Sequence, residues 1–138
     1  MGILADIYIS QDNEAAGYDT TPGQFAERAQ YKGFTPLELS MLWSIMRNAQ
    51  WDVALMGKFT CLLEKDDGER QIHSLPAEMV TDLSRLTADQ IADLSSQWAV
   101  TEELGWPPEA AREVIEGLVR LTRRAAESGR KVYLWNCV

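Results

Sequence analysis

Cysteine and histidine are nearly absent from this 138-residue chain, which holds Cys61, Cys137 and a single histidine, His73. Two thiols so far apart in sequence cannot form the framework of a disulfide-stapled scaffold. They read as small apolar side chains inside the protein. No Cys or His pair has the short spacing of a zinc motif, so neither a metal nor a cofactor is expected. The glycines nowhere form Gly-x-Gly-x-x-Gly or a phosphate loop, and no Gly-x-Ser-x-Gly elbow occurs. The loop Asp12-Asn13-Glu14-Ala15-Ala16-Gly17 fails as a calcium loop. Its fifth position is Ala16, and its twelfth is Gly23 where a bidentate Glu is needed.

Long apolar runs are missing too. No stretch approaches the roughly 20 residues of a membrane span. The opening Met1-Gly2-Ile3-Leu4-Ala5-Asp6 has no basic region ahead of an apolar run. A cytoplasmic location with no membrane partner is the expectation. Bases are scarce: 13 Lys and Arg stand against 21 Asp and Glu, a net charge of −8. Phosphate backbones repel such a surface, so no nucleic-acid partner is expected. The charge is uneven. Met1 to Ala111 carries 18 acids and 7 bases, whereas Arg112 to Val138 carries 3 acids and 6 bases. The plain reading of the basic end is internal charge matching by Arg112, Arg120, Arg123 and Arg124; the alternative is a partner-binding stripe.

What is present describes a single globular domain over residues 1–138. Ile3 to Ile9 alternates apolar and mixed residues, a strand pattern. Thr21-Pro22-Gly23-Gln24 reads as a capped helix start, with a short helix to about Tyr31 ended by Gly33. Thr35-Pro36-Leu37-Glu38 repeats the signature ahead of a stronger helix bearing Leu39, Leu42 and Trp43. Phe59 to Leu63, Asp67-Gly68 and Glu69 to His73 read as a hairpin with a two-residue turn. Helices follow at Pro76 to Leu86, after the capping box Thr87-Ala88-Asp89-Gln90 as far as Gly105, and from Pro107-Pro108 to Ser128-Gly129. Val132-Tyr133-Leu134-Trp135 is apolar on both faces, as a central or well-covered strand is. The expected fold is α+β. A small, mostly antiparallel sheet combines the N-terminal strand, the central hairpin and the C-terminal strand. About five helices pack mainly on one face.

His73 is the first residue to consider as a general base, but nothing near it in sequence completes a triad. Five tryptophans are the least ordinary feature. Trp43 and Trp98 fall on apolar helix faces, and Trp135 lies on the terminal strand. Trp51-Asp52 and Gly105-Trp106-Pro107 sit at element boundaries, where indoles form interface hot spots or pocket walls. The candidate binding residues are therefore Trp51, Asp52, His73 and Trp106, with no catalytic set, which points away from an enzyme. The functional expectation is a protein-interaction or regulatory module with a basic protein partner; an antitoxin or immunity role is one form of it. The alternative is a small-molecule binder or enzyme with an aromatic-lined pocket between sheet and helices. A third arrangement is a homo-oligomer with Trp51 and Trp106 between copies.

Overall fold

The alternation that begins at Ile3 becomes β1, Leu4–Ser10, whose residues beyond Leu4 are all buried. The computed structural model describes residues 2–138. Among them are five strands in one antiparallel sheet and five α-helices, an α+β fold. The remaining strands are β2, Arg28–Lys32; β3, Thr60–Lys65; β4, Arg70–Ser74; and β5, Lys131–Cys137. Their order across the sheet is β2-β1-β5-β4-β3. β5 therefore lies at the centre, as its two apolar faces require: Val132 and Leu134 enter one buried cluster and Tyr133 the other.

The helices are α1, Pro36–Met46; α2, Val53–Met56; α3, Ala77–Ser84; α4, Ala88–Ala99; and α5, Pro108–Ser128. Two capping boxes form as their sequences prescribe. At α1 the Thr35 hydroxyl accepts from Leu37 N–H at 3.2 Å, while Thr35 N–H donates to Glu38 Oε1 at 2.6 Å. Thr87 and Gln90 do the same at α4. The helices supply one face of the sheet with its apolar cover, in which Trp43 and Trp98 are fully buried. A buried indole must satisfy its N–H. Trp43 Nε1 donates to Asp82 Oδ2 at 3.0 Å, and Trp98 Nε1 to the Glu38 carbonyl at 3.0 Å.

Three sequence expectations are corrected. No helix runs from Thr21 to Tyr31. Pro22–Gln24 is one 3-10 turn, and Thr21 makes no cap: its hydroxyl donates to the Gly17 carbonyl at 2.9 Å. The next residues form β2, which pairs with β1 from Leu4↔Lys32 to Tyr8↔Arg28. The free edge of β1 offers this segment a hydrogen-bonding partner, and an isolated helix from Pro22 to Tyr31 is too short to be stable alone. The hairpin turn is longer than two residues. Asp66, Asp67 and Gly68 all take positive φ (55°, 57° and 89°), and β3 carries a bulge between Cys61 and Leu63. Finally α4 stops at Ala99, well before Gly105, and the residues between form a turn in which Leu104 N–H and Gly105 N–H both donate to the Thr101 carbonyl.

The sheet's other face has no α-helix over it. The chain from Gln11 to Ala26 crosses it as a strap with 3-10 turns at Ala15–Asp19 and Pro22–Gln24. Beneath it lie Tyr8, Tyr18, Ile72 and Tyr133, with Phe25 and Trp135 at the margin.

One close approach fixes how α5 sits on β2. Gly117, in the middle of α5, faces the Tyr31 hydroxyl so closely that an added Cβ would overlap it. Alanine normally favours a helix interior over glycine by about 1 kcal/mol. Here the overlap, worth about 1–3 kcal/mol in a packed site, outweighs that gain. Gly117→Ala is expected to lower the denaturant midpoint, and adding Tyr31→Phe is expected to restore part of it. A rise in midpoint for the single variant would show that this approach is not tight.

Candidate functional site

The structure places the four residues singled out from sequence at separate points, each held by a different neighbour. Trp51 is half-buried, and its Nε1 donates to the Ser40 hydroxyl at 2.9 Å. Asp52 is exposed and caps α2, its Oδ1 accepting from Ala54 N–H at 2.8 Å. Trp106 is half-buried beside Phe34 and Trp98, with ring centroids 6.2 and 5.9 Å away, and closes on Gly33, whose φ is +92°. His73 lies on β4 with Cys61 of β3 and Leu134 of β5 as its cross-strand partners. Burial holds its imidazole below the ordinary value of 6.5, against an opposing pull from Glu64, and its Nδ1 has no hydrogen-bond partner. Against the expectation of two interior thiols, Cys61 is exposed and Cys137 half-buried; on the bulged edge strand β3 the Cys61 thiol donates to the Leu63 carbonyl at 3.4 Å. Cys61 and Cys137 stand on strands separated by β4, so about 9–10 Å of sheet lies between their backbones, too far for a disulfide. Among the described residues no group of three or more His, Cys, Asp and Glu side chains is arranged to hold a metal.

The concentration of polar chemistry is elsewhere, under the strap. Tyr8 stacks on Tyr18 at 4.1 Å and on Tyr133 at 5.5 Å, and Tyr18 tilts against Trp135 at 6.0 Å. Two of the strap's three carboxylates, Asp12 and Asp19, are tied to the sheet; Glu14 is exposed. Asp12 accepts from the Tyr133 hydroxyl and from Lys131 Nζ. Asp19, its side chain wholly buried, accepts from Trp135 Nε1 at 2.9 Å and pairs with Lys65 and Arg70, both at 3.2 Å. Tyr18 donates to Asp6 at 2.6 Å, and Tyr8 to the Ala15 carbonyl at 2.8 Å. Burial pushes the phenols of Tyr8, Tyr18 and Tyr133 well above the ordinary tyrosine value, so they remain donors. Burial also acts to raise the Asp19 carboxyl, but the bonds from Trp135 and Lys65 and the charge of Arg70 outweigh it and hold the group below its ordinary value. Lys131 and Tyr133 lower Asp12; Arg124 and Arg130 lower Glu27 at the end of the strap.

Beside this cluster a cleft of about 570 Å³ opens between the strap and β1–β2, with Tyr18 and Trp135 as aromatic walls and Asp6, Gln30 and Lys32 among its polar groups. This cleft lies on the strap face and not between sheet and helices, where the sequence reading puts a pocket; Trp43 and Trp98 fill that interior. A sequence signal for this cluster exists: Asp6 and Tyr8 alternate on one face of β1, Tyr133 and Trp135 on one face of β5, and Tyr18 sits in an acidic loop. What joins them is strand pairing between the two ends of the chain, Asp6↔Trp135 and Tyr8↔Tyr133.

The second concentration is of charge. Most bases of the C-terminal segment are engaged within the protein, whereas Arg120 joins no ion pair among the described residues. Arg123 donates to the carbonyls of Ser84 and Leu86, capping the end of α3, and Arg124 and Arg130 both pair with Glu27. Arg112 pairs with Glu116. By contrast Leu86 to Ala111 contains Asp89, Asp93, Glu102, Glu103 and Glu109 and not one base. All five are exposed, and none joins an ion pair among the described residues. Comparison with protein-family models, with curated proteins and with solved structures finds no match to this chain.

The ionic strap predicts an acid limb in stability. Carboxyls held below their ordinary values add stability that is fully present above about pH 5 and is lost as pH falls through the lowered values. His73 acts in the same direction: neutral in the fold, it withdraws stability as pH falls below 6.5. Denaturant unfolding is expected to show a fall in stability from about pH 7 to pH 3, steepest below about pH 4.5. Asp19→Asn is expected to cost on the order of 2 kcal/mol at neutral pH and to flatten that limb. Equal stability at both pH values would contradict the ionic attachment of the strap.

Proposed function

We propose that this chain works by binding a basic protein through the exposed side of α4 and the turn that leads onto α5. The observation that carries the reading is the surface assembled from the base-free stretch. Asp89, Asp93, Ser96 and Val100 fall on one face of α4 at helical spacing. The turn continues that face with Glu102 and Glu103, and Glu109 opens α5. Val100, 78% exposed, is the least covered large apolar side chain among the described residues. An apolar contact ringed by carboxylates suits a partner with the opposite charge, because complementary fields speed encounter and fix orientation. The half-buried Trp106, braced against Gly33 in the same turn, adds a rigid aromatic margin. Arg123, Arg124, Arg130 and Lys131 are spent on Glu27, Asp12 and helix-end carbonyls, so they do not neutralise this face. Blocking a basic toxin, as an antitoxin or immunity protein does, is one form of such a role, supported by composition alone.

A second reading, a small-molecule binder, draws on the cleft beside Trp135, which lies on the strap face.

The test is charge reversal. Purification of the tagged protein from its own cells is expected to yield a stoichiometric complex with a basic protein. That complex should dissociate as salt is raised from about 0.05 M to about 0.5 M, where screening shortens electrostatic reach. Asp89→Lys/Asp93→Lys and Glu102→Lys/Glu103→Lys should each lower affinity at least tenfold with circular dichroism unchanged. Retention of the partner by both variants, self-association in place of a heterologous complex, or recovery of no partner would overturn the reading.

A further inference from the structure

We infer that the cleft between the strap and β1–β2 is a binding site for a small primary amine with an aromatic body, its ammonium seated on Asp6 and its ring against Trp135. The starting point is an imbalance. Asp12, Asp19 and Glu27 each meet at least one cation. Asp6 is 6% exposed and takes part in no ion pair among the described residues. Its Oδ2 accepts from two neutral donors, the Tyr18 hydroxyl at 2.6 Å and Gln30 Nε2 at 3.4 Å. Burying a carboxylate without a cation costs several kcal/mol in general, so such groups are normally paired or serve a ligand.

The surroundings supply the rest of a site. The cleft's volume of about 570 Å³ falls in the range that holds small ligands. Trp135 is half-exposed and lines the cleft, while Tyr18, 1% exposed and stacked on Tyr8, sits 6.0 Å from it at 55° as part of the floor. Aromatic faces attract an ammonium group, and more strongly where water is partly excluded. The indole is fixed, because its N–H is bonded to Asp19. Tyr18 is fixed by its bond to Asp6, so the walls need no reordering when a ligand arrives. Cations of the protein do not take the place. Arg28 lies by the Tyr18 hydroxyl, and the Lys32 stem runs by Gly2 at the rim. The charge and the aromatic walls point to a cation with a flat apolar body; a simple metal ion would leave the rings unused.

Asp6 and Gln30 are direct cross-strand partners, which gives a decisive variant. Gln30 is exposed, so Gln30→Lys is compatible with the fold and sets a tethered ammonium beside the carboxylate. Titration of the full chain with phenethylamine, followed by the indole N–H resonance of Trp135, is expected to saturate with a Kd near 1 mM or tighter. N-acetylphenethylamine, the uncharged counterpart, should bind at least tenfold more weakly. Asp6→Asn should lose at least tenfold in affinity, and Gln30→Lys should abolish binding while raising the melting temperature. Butylamine, with the charge but no ring, should bind more weakly than phenethylamine. Equal binding of the neutral amide, persistent binding by Gln30→Lys, or no saturable shift in the parent protein would each overturn the assignment. These outcomes do not depend on the α4 surface, so either reading can fail without the other.

Discussion

β5 holds this protein together. It pairs with β1 over seven positions and with β4 over five, and no other strand joins the two halves of the sheet. Without it β1–β2 and β3–β4 would be two separate hairpins, each marginal in water. Both faces of β5 are in use. Val132 and Leu134 extend the helix-covered core, and Tyr133 and Trp135 anchor the strap. The centre of the sheet thus depends on a strand from the far end of the chain, a non-local closure that must occur before either layer is complete.

The two layers are stabilised by different physics. Between sheet and helices the packing is apolar and shape-determined, with Gly117 cut to the Tyr31 hydroxyl and two indoles that satisfy their only donor. Under the strap the attachment is polar. Carboxylates at Asp12, Asp19 and Glu27 meet fixed donors and cations from β5, β4, β3 and α5. Desolvation works against Asp19, and its three partners prevail. Such an arrangement needs no thick hydrophobic layer, and leaves a rigid aromatic-walled cleft at its margin.

Charge follows the same division. A net charge of −8 is not spread evenly over the surface. Within the basic C-terminal segment, Arg123, Arg124, Arg130 and Lys131 are matched by helix-end carbonyls, Glu27 and Asp12. The acids of α4 and its following turn have no such counterpart. They face solvent, and the proposed docking surface rests on that asymmetry.

Local chemistry was legible in the sequence wherever the deciding interaction lies within a few residues. The capping boxes at Thr35 and Thr87, the left-handed end of α5 at Gly129, the strand alternation of β1 and the two-faced β5 all follow from side-chain period and backbone freedom. Trp51, Asp52 and Trp106 lie at element boundaries, and each is held by a structural contact: Ser40, the Ala54 N–H, and Gly33 with Phe34. Arg28–Lys32 became a strand because the edge of β1 was available to it, a condition no window of five residues contains. The strap cluster was likewise hidden: Asp6 meets Trp135, and Asp12 meets Tyr133, only once the two ends of the chain pair in register. The sequence by itself determined the capped helices, the alternating β1 and the two-faced β5, because those obey short-range rules. Tertiary structure alone decided which carboxylates found cations, as Asp12 and Asp19 do, and which buried ones, Asp6 among them, did not, because ion pairing depends on distances that only strand register sets.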